Sequence, residues 1–310
     1  MADKVRLTML KSMAGREFPA AVERHAAWGL KWLDLKDGLF GRSVVDLTDD
    51  EAREVRRLAD GAGLGIWCMS TGLFYAEVES SEETFQRHLA SVDRAITIAR
   101  ILEPRFIRLL AAKTRRRAEV ADSTSYILRH HPWLVGLSGD AVDRIARAGF
   151  GVVIENEIHG CIWSRPEEVL SFFAALERPA ARYTWDVQNM WQLGTFPTLD
   201  AYRKLRPLIG MVHLKGGQAE KGVRPLLCEA PCGPTGKRGL TPFSAPLKWS
   251  SSLADANWPI VEILREVIVD GTSPVLCLNP SHGEPKPGYD YTDIVVRDIA
   301  FLRAHFPEIE

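Results

Sequence analysis

Residues 151–157 read GVVIENE, and the same design returns in YTWDVQN at 183–189, GMVHLKGG at 210–217 and PVLCLNP at 274–280. Each is a short, β-branched or aromatic run that stays apolar at consecutive positions, the pattern of a strand buried on both faces in a parallel sheet. Each run also closes on a polar residue: Glu155, Asp186, His213 and Asn279. Two carboxylates, an imidazole and an amide delivered from successive buried strands form a donor set for a divalent cation. Charges are almost never buried unpaired, because desolvation costs several kcal/mol, and a shared cation removes that cost.

Outward from these four runs the alternation continues along the whole chain. Strand-like segments are expected at 5–10, 32–36, 64–70, 106–112, 151–157, 183–189, 211–216 and 274–280, with amphipathic stretches between them. A helix is predicted over 48–61, where Thr48 precedes Asp49, Asp50 and Glu51, so a capping hydroxyl and an acidic first turn meet the helix dipole. Another is predicted over 80–102, which opens on Ser80, Ser81, Glu82 and Glu83. Glycines stand before strands at Gly29, Gly63, Gly149, Gly151, Gly210 and Gly271, where a helix would end in a left-handed residue. Eight βα units over 310 residues point to an α/β protein, a single (β/α)8 TIM barrel spanning 1–310. No G-x-G-x-x-G follows the first strand, so a dinucleotide-binding open sheet has no support.

Two regions interrupt the count. Residues 113–150 are expected to hold an extra turn and a helix pair. The Gly- and Pro-rich stretch 216–247 reads as a long loop or lid after the seventh strand, or as a contact in a homo-oligomer.

Composition sets limits on partners. The chain is 46% hydrophobic and 25% charged, with a formal net charge of −1, which gives no field to draw in nucleic acid. The cluster Lys113, Arg115, Arg116 and Arg117 reads as a solvated loop. No apolar run approaches the roughly 18 residues of a membrane span, so no membrane partner is expected. Five scattered cysteines, Cys68, Cys161, Cys228, Cys232 and Cys277, suit reduced thiols in a cytoplasmic protein, and the lone CEAPC pair is a weak metal signal.

In a barrel strand alternate side chains face inward, which sets Glu155 with Val153 and Glu157, Asp186 with Gln188, and His213 with Lys215 at one mouth. An oxygen-rich set with one imidazole suits Mn²⁺, with Mg²⁺, Co²⁺ or Zn²⁺ as alternatives. Lys215 could steady a developing oxyanion or pair with a carboxylate, and Arg108 on the fourth strand could grip a carboxylate or phosphate in a bidentate way or form an ion pair. His282 and Glu284 follow the eighth strand, and Trp67, Trp163, Trp185 and Trp191 are candidates for packing or for stacking on a sugar.

The stretches AAVERHAAWGLKWLDLK (20–36), VVIENE, TWDVQN, VHLKGG, ANWPIVEIL (256–264) and LCLNPSHGE (276–284) together resemble the xylose isomerase-like TIM-barrel superfamily, in particular its sugar phosphate isomerase/epimerase group, which includes ketose 3-epimerases. The resemblance covers nearly the whole chain. It implies metal ligands at Glu155, Asp186, His213 and Asn279, and an acid near the end of the second strand at Asp34. Two positions depart from the pattern: Asn279 stands where many members carry a glutamate, and Asn189 where many carry a histidine. An amide cannot act as a proton-transferring base, so the two-glutamate epimerase mechanism does not carry over intact.

The expected function is a divalent-metal-dependent isomerase or epimerase of a small sugar-like hydroxycarbonyl, working by proton abstraction beside a polarised carbonyl. Glu155, Glu157, Lys215 and His282 are its candidate catalytic groups, and Asp34, Lys36, Arg108, Gln188 and Asn189 its candidate substrate contacts. A lyase acting by β-elimination on a keto-sugar or oxidised glycoside, and a non-catalytic binding barrel, are the alternatives.

Overall fold

The structure is a computed structural model that describes residues 5–36, 38–218, 251–280 and 291–309. Eight parallel strands, β1 (Arg6–Leu10), β2 (Trp32–Leu35), β3 (Gly65–Ser70), β4 (Phe106–Leu110), β5 (Gly151–Glu155), β6 (Ala181–Asp186), β7 (Ile209–Leu214) and β8 (Val275–Leu278), pair in sequence order, and β8 pairs with β1 to close a barrel. The helices around it are α1 (Phe18–Ala27), α2 (Asp49–Gly61), α3 (Glu82–Leu102), α4 (Ser123–His130), α5 (Trp133–Arg147), α6 (Pro166–Leu176), α7 (Val187–Gln192), α8 (Leu199–Leu205), α9 (Ile260–Val269) and α10 (Thr292–His305). Among the described residues, no helix is long and apolar enough to cross a membrane.

Local chemistry accounts for these elements. Thr48 caps α2 by accepting from the Glu51 N–H, while the Glu51 carboxylate accepts from the Thr48 N–H at 2.7 Å, a reciprocal capping box. Ser81 caps α3 by accepting from the Thr84 N–H. The stretch after β4 holds the expected helix pair, α4 and α5. Gly63 and Gly271 are left-handed, as their places after helices require. Gly151 and Gly210 have a different reason: a Cβ there would lie 2.5 Å from the Phe106 ring and 2.7 Å from Arg182 Cβ.

Two expected strands are shorter than their apolar runs. β5 stops at Glu155 and β6 at Asp186, because Asp186 turns a carboxylate oxygen back to accept the Asn189 N–H at 2.9 Å and so starts α7. Gln188 and Asn189 therefore lie on a helix rather than on the inward face of a strand. β8 likewise stops at Leu278, leaving Asn279 just past its end.

Register then fixes the height of each side chain. Asp186 pairs with His213, and His213 with Cys277, so three neighbouring strands carry donors at one level. Leu110 pairs with Glu155 at the same end of the barrel. The expected lid is described only as far as Gln218. The rest of it, together with His282, Glu284, Cys228 and Cys232, lies outside the described residues.

Candidate metal centre at the barrel mouth

Glu155, Asp186 and His213 are fully buried at the C-terminal ends of β5, β6 and β7, and each offers a donor atom within 4.8 Å of the others. His213 Nδ1 lies 2.9 Å from Glu155 Oε1 and 3.8 Å from Asp186 Oδ2. Neither ring nitrogen is aligned for a hydrogen bond, and Asn279 Oδ1 is likewise buried without a partner. Orphaned buried polar atoms converging on carboxylates are what a cation would satisfy, so the donor set fits a divalent ion of the oxygen-seeking kind. Glu155, Asp186 and His213 would hold it, and the Asn279 carbonyl, buried without a partner on a side chain that reaches Asp186, is the candidate fourth donor.

Two cations already brace this group. Arg108, buried on β4, donates to Glu155 Oε2 at 2.5 Å and to the Thr71 carbonyl at 2.9 Å. Lys215 Nζ lies 2.8 Å from Asp186 Oδ2 and donates to Asn189 Oδ1 at 2.7 Å. Asn279 Nδ2 donates to Asp186 Oδ2 at 3.4 Å. The electrostatics follow from these contacts. Burial opposes ionisation of Glu155, but His213 and Arg108 outweigh it and hold the carboxyl well below the usual range. Burial raises the Asp186 carboxyl, against the pull of Lys215. Burial also opposes charge on His213, yet Glu155, Cys277 and Asp34 push its pKa well above that of free imidazole.

Below the imidazole lies a second layer. Asp34 on β2 is fully buried, accepts from Ser70 Oγ at 2.5 Å, and places Oδ2 3.6 Å from His213 Nε2 and 3.8 Å from Cys277 Sγ. Burial pushes the Cys277 thiol up to about 12, so it stays protonated. Asp34 is thus buried on the Nε2 side of His213, and neither it nor Arg108 lines the cavity at the mouth.

The open part of the mouth is a cavity of about 170 Å³ lined by Lys36, Glu157, Asn189, Gln192, Lys215 and Asn279, among others. Lys36 and Glu157 face each other at 3.9 Å and are both partly exposed. Gln188 is buried and donates to the Gly216 carbonyl at 2.7 Å, which fixes the turn after β7. The four tryptophans are core: Trp163 packs on Phe172 and Tyr183, Trp185 stacks on Tyr202, and Trp67 and Trp191 are equally buried.

Asn156 holds the site together and does not stand out in the sequence. Its Oδ1 accepts from Asp186 N at 2.9 Å and from the Tyr183 hydroxyl at 2.6 Å, its Nδ2 donates to the Asp186 carbonyl at 3.0 Å, and its own carbonyl accepts from Asn189 Nδ2 at 3.1 Å. The only hint was an asparagine between the two glutamates of ENE. Ser70 and Thr71, which tie Asp34 and Arg108 in place, gave no signal beyond lying at the end of β3.

Comparison with known proteins agrees with the barrel fold. No curated protein matches by sequence. Among solved structures, a probable 3-DHS dehydratase from Bacillus anthracis superposes over 96% of this chain and 98% of its own with a TM-score of 0.67 at 16% identity. D-psicose 3-epimerase from Clostridium cellulolyticum H10 covers 96% of this chain and 91% of its own, with a TM-score of 0.61 and 13% identity. A magnesium complex of a barrel protein from Mycobacterium smegmatis covers 97% and 96%, with a TM-score of 0.65 and 14% identity. At such identities these likenesses establish the fold. A sequence model of the family, in contrast, matches residues 22–254, most of the chain and all but its first and last strands. The chain belongs to the xylose isomerase-like TIM-barrel family.

Proposed function

We propose that this protein is a divalent-metal-dependent isomerase or epimerase of a sugar-like hydroxycarbonyl compound. The observation that carries the reading is the convergence of Glu155, Asp186 and His213 donor atoms within 4.8 Å, with neither His213 nitrogen aligned for a hydrogen bond, beside a polar cavity. A bound divalent ion, Mn²⁺ by preference, would act there as a Lewis acid on a carbonyl oxygen and stabilise the oxyanion formed when the neighbouring C–H is deprotonated.

The chain's own residues divide the remaining work. Glu155 spends one oxygen on Arg108 and faces His213 with the other, so it is a ligand and not the base. Glu157 is the one carboxylate lining the cavity among the described residues, and it is our candidate base. Lys215, anchored by Asp186 and Asn189, points an ammonium at the same space, where it can donate to a developing enediolate. Lys36, Asn189 and Gln192 supply polar contacts for hydroxyl groups.

Among the described residues a single carboxylate base lines the cavity, which favours a one-sided proton shift, as in aldose–ketose isomerisation, over exchange between opposite faces. The same observation supports a second reading, β-elimination, in which Glu157 removes the proton and a β-substituent leaves; one of the structural neighbours is a probable dehydratase. Incubating Mn²⁺-loaded protein with ketoses and keto-sugars separates the two. Isomerisation gives a product of unchanged mass and solvent deuterium at one carbon, whereas elimination gives an unsaturated product with new ultraviolet absorbance. A protein that takes up no Mn²⁺, and whose Tm does not respond to it, would leave only a binding role.

A further inference from the structure

From the charge at the floor of this mouth we infer that the substrate carries a carboxylate in addition to its hydroxycarbonyl group, an inference that rests on the proposed metal site. Among the described residues the floor holds three carboxylates, Asp34, Glu155 and Asp186, and two cations, Arg108 and Lys215, all of them buried. His213 lies between them and must be neutral to lend a ring nitrogen to a metal. A divalent ion added to this group makes four positive charges against three negative.

Among the described residues the rim does not correct the excess. Lys36 and Glu157 face each other at 3.9 Å and cancel. The residue just past β8, at the same mouth, is Asn279, whose neutral amide leans on Asp186 at 3.4 Å where an acid would have closed the balance. An unbalanced charge among groups this deeply buried is costly, because water and salt screen it less than they would at a surface. A ligand bearing one negative charge removes the imbalance, and the cavity above offers it donors: the Lys36 ammonium, loosely paired and partly exposed, with the amides of Asn189, Gln192 and Asn279 beside it. The excess is a single charge. A carboxylate supplies one, whereas a phosphate monoester brings about 1.5 to 2 at neutral pH, so the match is to a sugar acid rather than a sugar phosphate.

Three unreactive probes on one carbon skeleton test this by calorimetry on protein carrying one equivalent of Mn²⁺: glucitol, gluconate and glucitol 6-phosphate. Mn²⁺ binding is measured first, and its absence would sink the metal reading together with this inference. With Mn²⁺ bound, gluconate is expected to bind at least tenfold more tightly than glucitol and more tightly than glucitol 6-phosphate. Asn279→Asp supplies the missing charge from the protein and should erase the gluconate advantage while Mn²⁺ stays bound. Lys36→Met, at a partly exposed position, should weaken gluconate more than glucitol and leave Mn²⁺ binding unchanged. Equal affinity for gluconate and glucitol would overturn the inference and leave the metal site standing. Tighter binding of the phosphate, or a gluconate preference that survives in Asn279→Asp, would overturn it as well.

Discussion

His213 separates two environments that share its imidazole. On the Nδ1 side lie Glu155 and Asp186, braced by Arg108 and Lys215 and opening toward a polar cavity. On the Nε2 side lie Asp34, Ser70 and Cys277, closed off from solvent, with no cation among their hydrogen-bonding partners. The first side has donors to spare and a route to solvent, so it is fitted to hold an ion and present it to a ligand. The second also brings donors of Asp34, His213 and Cys277 within 4.8 Å of one another, but it is closed to solvent, and we propose that it orients the ring, as a carboxylate behind a ligating histidine fixes the tautomer and the ring plane. The contrast teaches that a polar residue inside a barrel takes its role from the side of the shared ring it faces, and not from its type.

The largest effect expected is from Glu155→Ala, which strikes the mouth side. It leaves Arg108 buried without its carboxylate, so urea unfolding should show a loss of roughly 3–5 kcal/mol, partly recovered when Arg108→Met is added, and Mn²⁺ binding should disappear. Full stability in the single variant would mean that the ion pair contributes nothing.

Next comes Asp34→Asn, on the closed side. If Asp34 orients the ring, Mn²⁺ affinity should fall about 10- to 100-fold with the fold intact, while Cys277→Ser changes it much less. Equal effects of the two substitutions would break the distinction between orienting carboxylate and packed thiol.

The effect of pH on metal binding should be about tenfold per unit. His213 in the metal-free protein holds its proton to a higher pH than free imidazole, so metal and proton compete, and Mn²⁺ affinity should rise with pH until it passes that raised pKa. The sign for the metal-free fold is the opposite: the charged imidazole contributes stability in full below its unfolded pKa, and this is lost as pH rises through the folded value. A pH-independent Mn²⁺ titration between pH 6 and 8 would remove His213 from the site.

The smallest effect serves as a control remote from both sides. Thr48→Ala removes the α2 cap and should cost about 1 kcal/mol of stability without moving Mn²⁺ affinity.

Much of this was legible in the chain. Eight apolar runs gave the eight strands, because a strand covered on both faces must be apolar at consecutive positions, and the caps of α2 and α3 were written in Thr48 and Ser81. Glu155, Asp186 and His213 were visible as polar residues closing buried runs, since nothing else in a buried strand tolerates a charge. The ends of the runs were harder to read: whether Gln188 belonged to strand or helix depended on the Asp186 side chain bending back to cap α7.

The sequence by itself determined the barrel and which residues of β5, β6 and β7 gather at its mouth, because periodicity and strand order fix both. Only the tertiary structure decided the partners: Arg108 with Glu155, Lys215 with Asp186, Asp34 on the Nε2 side of His213, and Asn156 as the tie between β5 and β6. Those contacts join residues 29 to 179 positions apart, across the inside of a closed sheet or between its strands. Local pattern carries no information about which of several buried charges will meet; closure of the barrel does.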